Sequence, residues 1–284
     1  MPNSLITNKS LVTPNVFQKT MIEKLYDKSV YENTIVENIT YLSDGLQVKG
    51  YIASPKESGN YPVLLWNRGG YKDQGALEEL TAFLILASTA VWGYVVVATQ
   101  YRGNMGGEGK EDWGGKDVDD ALTMLQVAEE LPNTDMTRIA IEGASRGGMT
   151  TYRALDREHR FKCAMIHAGI SDLFELEKHD EKFAKLIDKI TADMSPDERT
   201  TKISSLSGVY IAEKFNKECP ILLMHGTSDN RIPISHSEAM AKELTRLEHP
   251  HQFVKIENGG HVALKDGSYK EIDILRNAWL EKYL

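Results

Sequence analysis

From residue 62 onward, short apolar runs of strand length alternate with longer stretches of helical periodicity. Runs at 62–66, 94–99, 138–142, 163–167, 221–224 and 253–256 are rich in Val, Ile and Leu and predict strands. Stretches near 77–90, 118–130, 146–158, 236–247 and 269–283 predict helices between and after them. Near-continuous apolar runs suit strands covered on both faces, so the alternation predicts an α/β fold, a mostly parallel twisted sheet with helices on both sides. Ahead of this core, residues 1–34 are polar and mixed, with an amphipathic helix predicted over 16–26. Alternation on either side of Ser43-Asp44-Gly45 predicts a β-hairpin, and 54–60 reads as a loop. The segment 172–218 breaks the rhythm with helices near 173–190 and 196–206. It is either a small helical lid over a site or an ordinary helical excursion. The reading is one domain over 1–284, with 1–60 as a helix and hairpin region and 172–218 as the insertion.

Residues 82–99 carry no charge and approach the length of a membrane span. Trp92-Gly93-Tyr94 interrupts the run, which reads instead as a buried helix, a turn and a buried strand. Composition is that of a globular protein, 41% hydrophobic and 26% charged. With 33 basic against 41 acidic residues the formal net charge is −8, which argues against nucleic acid and anionic membrane as partners. The two cysteines, Cys163 and Cys219, lie at apolar runs and read as buried thiols. No disulfide framework and no signal-peptide pattern at the N-terminus are visible, which leads to the expectation of a cytoplasmic protein.

Gly143-Ala144-Ser145-Arg146-Gly147 matches G-x-S-x-G, with a predicted strand before it and a predicted helix after it. That context is a nucleophile elbow of the α/β-hydrolase fold, where a serine sits on a strained strand-to-helix turn. A serine hydroxyl needs a base, and in this fold an acid and then a histidine follow it in the chain. Asp229 lies just past the strand 221–224, and His261 just past the strand 253–256, at the sheet edge where open α/β sheets build their sites. The spacing therefore points to Ser145 as nucleophile, His261 as general base and Asp229 as orienting acid. Asp172, which also follows a strand, is the rival acid. Of the other seven histidines, His159, His167 and His179 precede Asp229, His225 ends a strand, His236 begins a helix, and His249 and His251 lie at the wrong edge of the sheet. One oxyanion donor is expected from the backbone N–H of Arg146, and a second from the loop Asn67-Arg68-Gly69-Gly70-Tyr71. The glycine-rich loop 103–109 lacks a phosphate-binding pattern, and the histidines and cysteines lack paired ligand spacing. No cofactor and no metal are expected.

Several separated motifs occur together: Arg68-Gly69-Gly70, Tyr101-Arg102-Gly103, Asp112-Trp113-Gly114-Gly115 with Asp117 and Asp120, Gly143–Gly148, His225-Gly226-Thr227-Ser228-Asp229 and Gly259-Gly260-His261. Over about residues 60–284 the chain resembles the catalytic domain of prolyl oligopeptidase-type serine peptidases. The resemblance implies Ser145, Asp229 and His261 as the triad and a short peptide as substrate. The larger members carry a β-propeller, and the sixty or so residues ahead of the core are too few for one. Small esters thereby join short peptides as expected substrates, and a homo-oligomer is one way to shield the site. Where the family often has Tyr or His before the glycine pair, this chain has Arg68. Its guanidinium would bind an oxyanion or a substrate carboxylate, or lie solvated on the loop, leaving the oxyanion to Tyr71 or the N–H groups of Gly69 and Gly70. Carboxylesterase and thioesterase are the alternatives within the class. A non-catalytic hydrolase-fold binding protein is the alternative outside it.

Overall fold

The computed structural model describes residues 4–261, 267 and 269–284. The first three residues of the N-terminal segment read above lie outside them. The chain divides into two compact units, Met1–Glu111 with Lys116–Ala140, and Asp112–Gly115 with Ile141–Leu284.

In the first unit the strands are β1 (Ile6–Leu11), β2 (Thr34–Ser43), β3 (Leu46–Pro55), β4 (Tyr61–Asn67), β5 (Val95–Thr99) and the first part of β6 (Thr134–Ala144). Their spatial order is β1-β2-β3-β5-β4-β6. The hairpin is longer than the alternation around Asp44 suggested. Its ladder runs from Thr34↔Pro55 to Ser43↔Leu46, and the two turn residues Asp44 and Gly45 have φ of 50° and 77°. Positive φ at both positions matches the twist of the flanking strands. Strand β1 was not expected: it pairs antiparallel with β2 at an edge, and its side chains are almost all exposed. The uncharged run 82–99 is a buried helical stretch ending at Ala90, a turn at Gly93, and the fully buried β5. Among the described residues no helix is long and apolar enough to cross a membrane.

In the second unit the end of β6 is followed by β7 (Phe161–His167), β8 (Ile221–Gly226) and β9 (His251–Ile256), in the order β6-β7-β8-β9. β7, β8 and β9 are parallel, with His167 opposite Met224 and Gly226 opposite Ile256. Their C-terminal ends therefore lie at one edge, and the loops that leave them share it. Helices Arg146–Leu155, Ser235–Arg246 and Tyr269–Tyr283 cover this part of the sheet. In 172–218 the expected helix over 173–190 is two helices, Leu173–His179 and Glu181–Ile190. Asp180 breaks it with extended backbone (φ −144°, ψ 127°), and its side chain accepts the Lys182 N–H as the N-cap of the second helix. Ser195 and Glu198 form a reciprocal capping box on Pro196–Leu206, whose bounds match the sequence reading.

Candidate active site

Ser145 stands between β6 and the helix Arg146–Leu155 with φ 57° and ψ −123°. A non-glycine residue in this region costs on the order of 1–3 kcal/mol and persists only where its surroundings hold it there. They do: Ser145 N–H donates to His167 O (2.9 Å), and Ser145 O accepts from Gly148 N (2.9 Å) and Ile170 N (3.2 Å). The flanking glycine is required sterically, because a Cβ on Gly143 would lie 2.2 Å from Gly147 O.

Asp229 follows β8 on a turn closed by its own side chain. Oδ1 accepts from Arg231 N (2.9 Å) and Ile232 N (3.0 Å). Oδ2 faces His261 Nδ1 at 2.7 Å and His225 Nε2 at 3.3 Å. The carboxylate is fully buried. Burial alone would raise its pKa, but hydrogen bonds from His225, His261 and Ile232 outweigh that and hold it well below the usual carboxylate range. The loop carrying His261 is fastened to the Asp229 turn, with Thr227 N–H donating to Ile256 O (3.0 Å) and Ser228 N–H to Gly259 O (2.9 Å). Gly226 permits this approach: a Cβ there would sit 2.1 Å from Gly259 O. His261 Nε2 lies 3.0 Å from Ser145 Oγ. Three loops of the second unit thus bring the hydroxyl, imidazole and carboxylate into one hydrogen-bonded row.

The rival acid, Asp172, is engaged elsewhere. It caps the helix Leu173–His179 through Phe174 N and Glu175 N, and accepts from the Tyr210 hydroxyl at 3.2 Å. His225, read from sequence as a strand end, touches the acid. The signal for it was its place four residues before Asp229, across a turn. Arg146 is buried beneath Trp113, its guanidinium 5.9 Å from the ring centre. Both cysteines are free and buried, and burial pushes the Cys219 thiol up to about 12. Among the described residues no group of three or more His, Cys, Asp or Glu gathers as a metal site.

Arg68 corrects the expectation of a substrate-facing or solvated guanidinium. In the first unit it is 0% exposed. It donates to Gln100 O (2.8 and 3.1 Å), Lys72 O (2.9 Å) and Gly69 O (3.1 Å), and lies over the Tyr101 ring. It braces the loop that also holds Gly70 (φ 79°) and the half-buried Tyr71.

His236 gives the site's surroundings a pH dependence. It is 2% exposed, and its Nδ1 accepts from Ser171 N and Asp172 N, both at 3.4 Å. Burial, then repulsion from His225, pushes its pKa from the ordinary 6.5 down to about 4. Between those values the unfolded chain binds a proton that the folded chain does not, so stability falls as pH drops from 6.5 toward 4. Thermal unfolding across that window is expected to show a decline in Tm that is shallower in His236→Asn. Equal slopes for the two proteins would refute this.

Comparison with known proteins agrees with the architecture. A family model described as the prolyl oligopeptidase family matches residues 81–284. The chain is 32% identical over 235 residues to an uncharacterized peptidase, YtmA, of Bacillus subtilis (strain 168), covering 81% of this chain and 87% of that one. A puromycin-hydrolyzing peptidase of Mycobacterium tuberculosis shares the fold at TM-score 0.76 and 24% identity, covering 92% of this chain but only 41% of its own. An acetyl xylan esterase from Paenibacillus sp. R4 does so at TM-score 0.69 and 18% identity, covering 98% of this chain and 88% of its own. At these identities the structural likeness speaks to the fold alone, which is the α/β-hydrolase fold expected from the elbow.

Proposed function

The chain belongs to the prolyl oligopeptidase family of serine hydrolases, and from that premise we propose that Ser145, His261 and Asp229 cleave an amide bond of a short peptide through an acyl-enzyme. The observation that carries this reading is the row of contacts itself: Asp229 Oδ2 to His261 Nδ1 at 2.7 Å and His261 Nε2 to Ser145 Oγ at 3.0 Å. Asp229 accepts the Nδ1–H and so leaves the Nε2 lone pair facing the hydroxyl. As Oγ bonds to the carbonyl carbon, its proton passes to Nε2 and the carbonyl π pair moves to oxygen. The backbone N–H of Arg146, first residue of the helix after the elbow, is the proposed donor to that oxyanion. Collapse of the intermediate breaks the C–N bond, and Nε2 returns the proton to the leaving amine. Water, deprotonated by the same nitrogen, then releases the acid and restores Ser145. Asp229 supports the imidazolium without taking its proton, since its hydrogen bonds keep it ionised.

Ester cleavage is the second reading. The same nucleophile and base would serve an ester, whose leaving group is an alcohol in place of an amine. The two readings share every step up to the leaving group. Turnover of a panel of aminoacyl p-nitroanilides against a short-chain p-nitrophenyl ester separates them. The peptidase reading expects anilide turnover that Ser145→Ala abolishes. Ester turnover with no anilide cleavage would transfer the assignment to an esterase.

A further inference from the structure

We propose that His225 is a positioning residue for the reaction: an imidazole whose Nε2–H fixes the Asp229 carboxylate in its orientation toward His261. The proposal rests on the triad reading above.

His225 is the penultimate residue of β8 and is 0% exposed. Its Nε2 lies 2.9 Å from Ile232 O and 3.3 Å from Asp229 Oδ2, and its Nδ1 lies 2.8 Å from Ser237 Oγ. A carbonyl oxygen cannot donate, and an ionised carboxylate cannot donate, so both neighbours of Nε2 are acceptors and the proton belongs there. Nδ1 then accepts the Ser237 hydroxyl, which can rotate to donate. The tautomer follows from the partners alone. The shorter bond, to Ile232 O, sets the ring, and the same N–H reaches Asp229 as its second acceptor.

The arrangement closes on itself. Ile232 N–H donates to Asp229 Oδ1, while Ile232 O takes the proton of His225. One peptide segment is therefore gripped at one end by the acid and at the other by the histidine beside it. Each carboxylate oxygen meets two nitrogens, Oδ1 the backbone of residues 231 and 232, and Oδ2 the two imidazoles. A carboxylate so bound cannot turn about its Cβ–Cγ bond without breaking several bonds at once. The other rings bearing on His225 are His167 at the end of β7 and His236 on the helix Ser235–Arg246. Both are pushed to about 4, chiefly by burial, and carry no charge at neutral pH. Arg276, also near His167, is paired with Glu142 and Asp273.

Two consequences separate this role from mere space-filling. Without the His225 donor, one fewer contact holds Oδ2 on the His261 axis, which lowers kcat rather than raising KM. The carboxylate also becomes more basic and holds the His261 imidazolium more tightly. Activity then requires a higher pH.

The test uses the full chain with His225→Leu and His225→Gln, the second of which carries an amide N–H at about the Nε2 position. Wild type and both variants are compared by pH profile on p-nitrophenyl acetate. For His225→Leu we expect kcat lower by about 10- to 100-fold with KM within about twofold, by analogy with other outer-shell hydrogen-bond partners. Its acid limb of kcat/KM should move up by about half a pH unit. His225→Gln should return the limb to its wild-type position and recover most of kcat. A folded His225→Leu with wild-type kcat and limb, or a His225→Gln that shares the full loss, would overturn the proposal. Should His225→Leu not fold, ¹⁵N-histidine NMR of the wild type decides: the neutral Nε2–H tautomer for His225 at neutral pH supports the role, and Nδ1–H contradicts it. Failure of the triad reading shows separately, as wild-type turnover in Ser145→Ala, and takes this proposal with it.

Discussion

Asp229→Asn is expected to lower kcat by about 10⁴-fold while leaving the fold intact, as loss of the orienting charge does in other serine triads. The direction follows from the turn around residue 229. Oδ1 accepts two backbone N–H groups, from Arg231 and Ile232, so the amide of the variant must keep its oxygen there. Its NH₂ then takes the Oδ2 position, facing His261 Nδ1 and His225 Nε2. A donor now points at both imidazoles. His261 responds by carrying its proton on Nε2, toward Ser145, where it blocks the general-base step. Flipping the amide does not relieve this, because it would turn the NH₂ against two backbone donors. Steady-state kinetics with circular dichroism checks the result. A folded Asp229→Asn variant retaining more than a tenth of wild-type kcat would remove Asp229 from the role.

The second large effect is on stability. Arg276, on the helix Tyr269–Tyr283, makes a bidentate pair with Glu142 through Nε (2.7 Å) and a terminal nitrogen (2.8 Å), with its other nitrogen on Asp273 at 2.7 Å. The Arg276 and Glu142 side chains are 7% and 6% exposed. Glu142 lies in β6, three residues before Ser145, so this pair ties the last helix to the strand that presents the nucleophile. Arg276→Met strands a buried carboxylate and is expected to cost about 3–5 kcal/mol, as breaking one side of a buried pair does. The double variant Glu142→Leu with Arg276→Met removes both charges and is expected to regain most of that loss. Urea unfolding of the three proteins reads both values. A single variant within about 1 kcal/mol of wild type would show that the pair is not what fastens the helix.

What the sequence disclosed, and what it concealed, divides along physical lines. Buried strands must be apolar at nearly every position, so β4, β5, β7, β8 and the buried second half of β6 were visible as runs. The elbow was visible because only a small residue fits where a Cβ on Gly143 would meet Gly147 O. Asp229 and His261 were visible because chain order and strand ends restrict where they can stand. Strand β1 was not, because its pairing with β2 is made by backbone groups and leaves its side chains in water. The break at Asp180 was missed because the apolar period of 173–190 runs through it, while the interruption is one local bond from Asp180 to Lys182 N. Arg68 misled for a different reason. A charge beside a glycine pair reads as exposed, yet the turn through Gly70 and Lys72, both at positive φ, aims carbonyls inward and gives a buried guanidinium its acceptors. His225 was overlooked because a spacing of four residues does not by itself show the turn, closed by Asp229 N–H to Gly226 O, that brings its ring to Asp229.

The most direct test of the central claim is covalent: the full chain is treated at neutral pH with a fluorophosphonate, and the adduct is located by peptide mass mapping. The account predicts a single phosphonylated residue, Ser145, with no labelling in Ser145→Ala and strongly slowed labelling in Asp229→Asn. A folded wild-type chain that does not label, or that labels equally in Ser145→Ala, would contradict it.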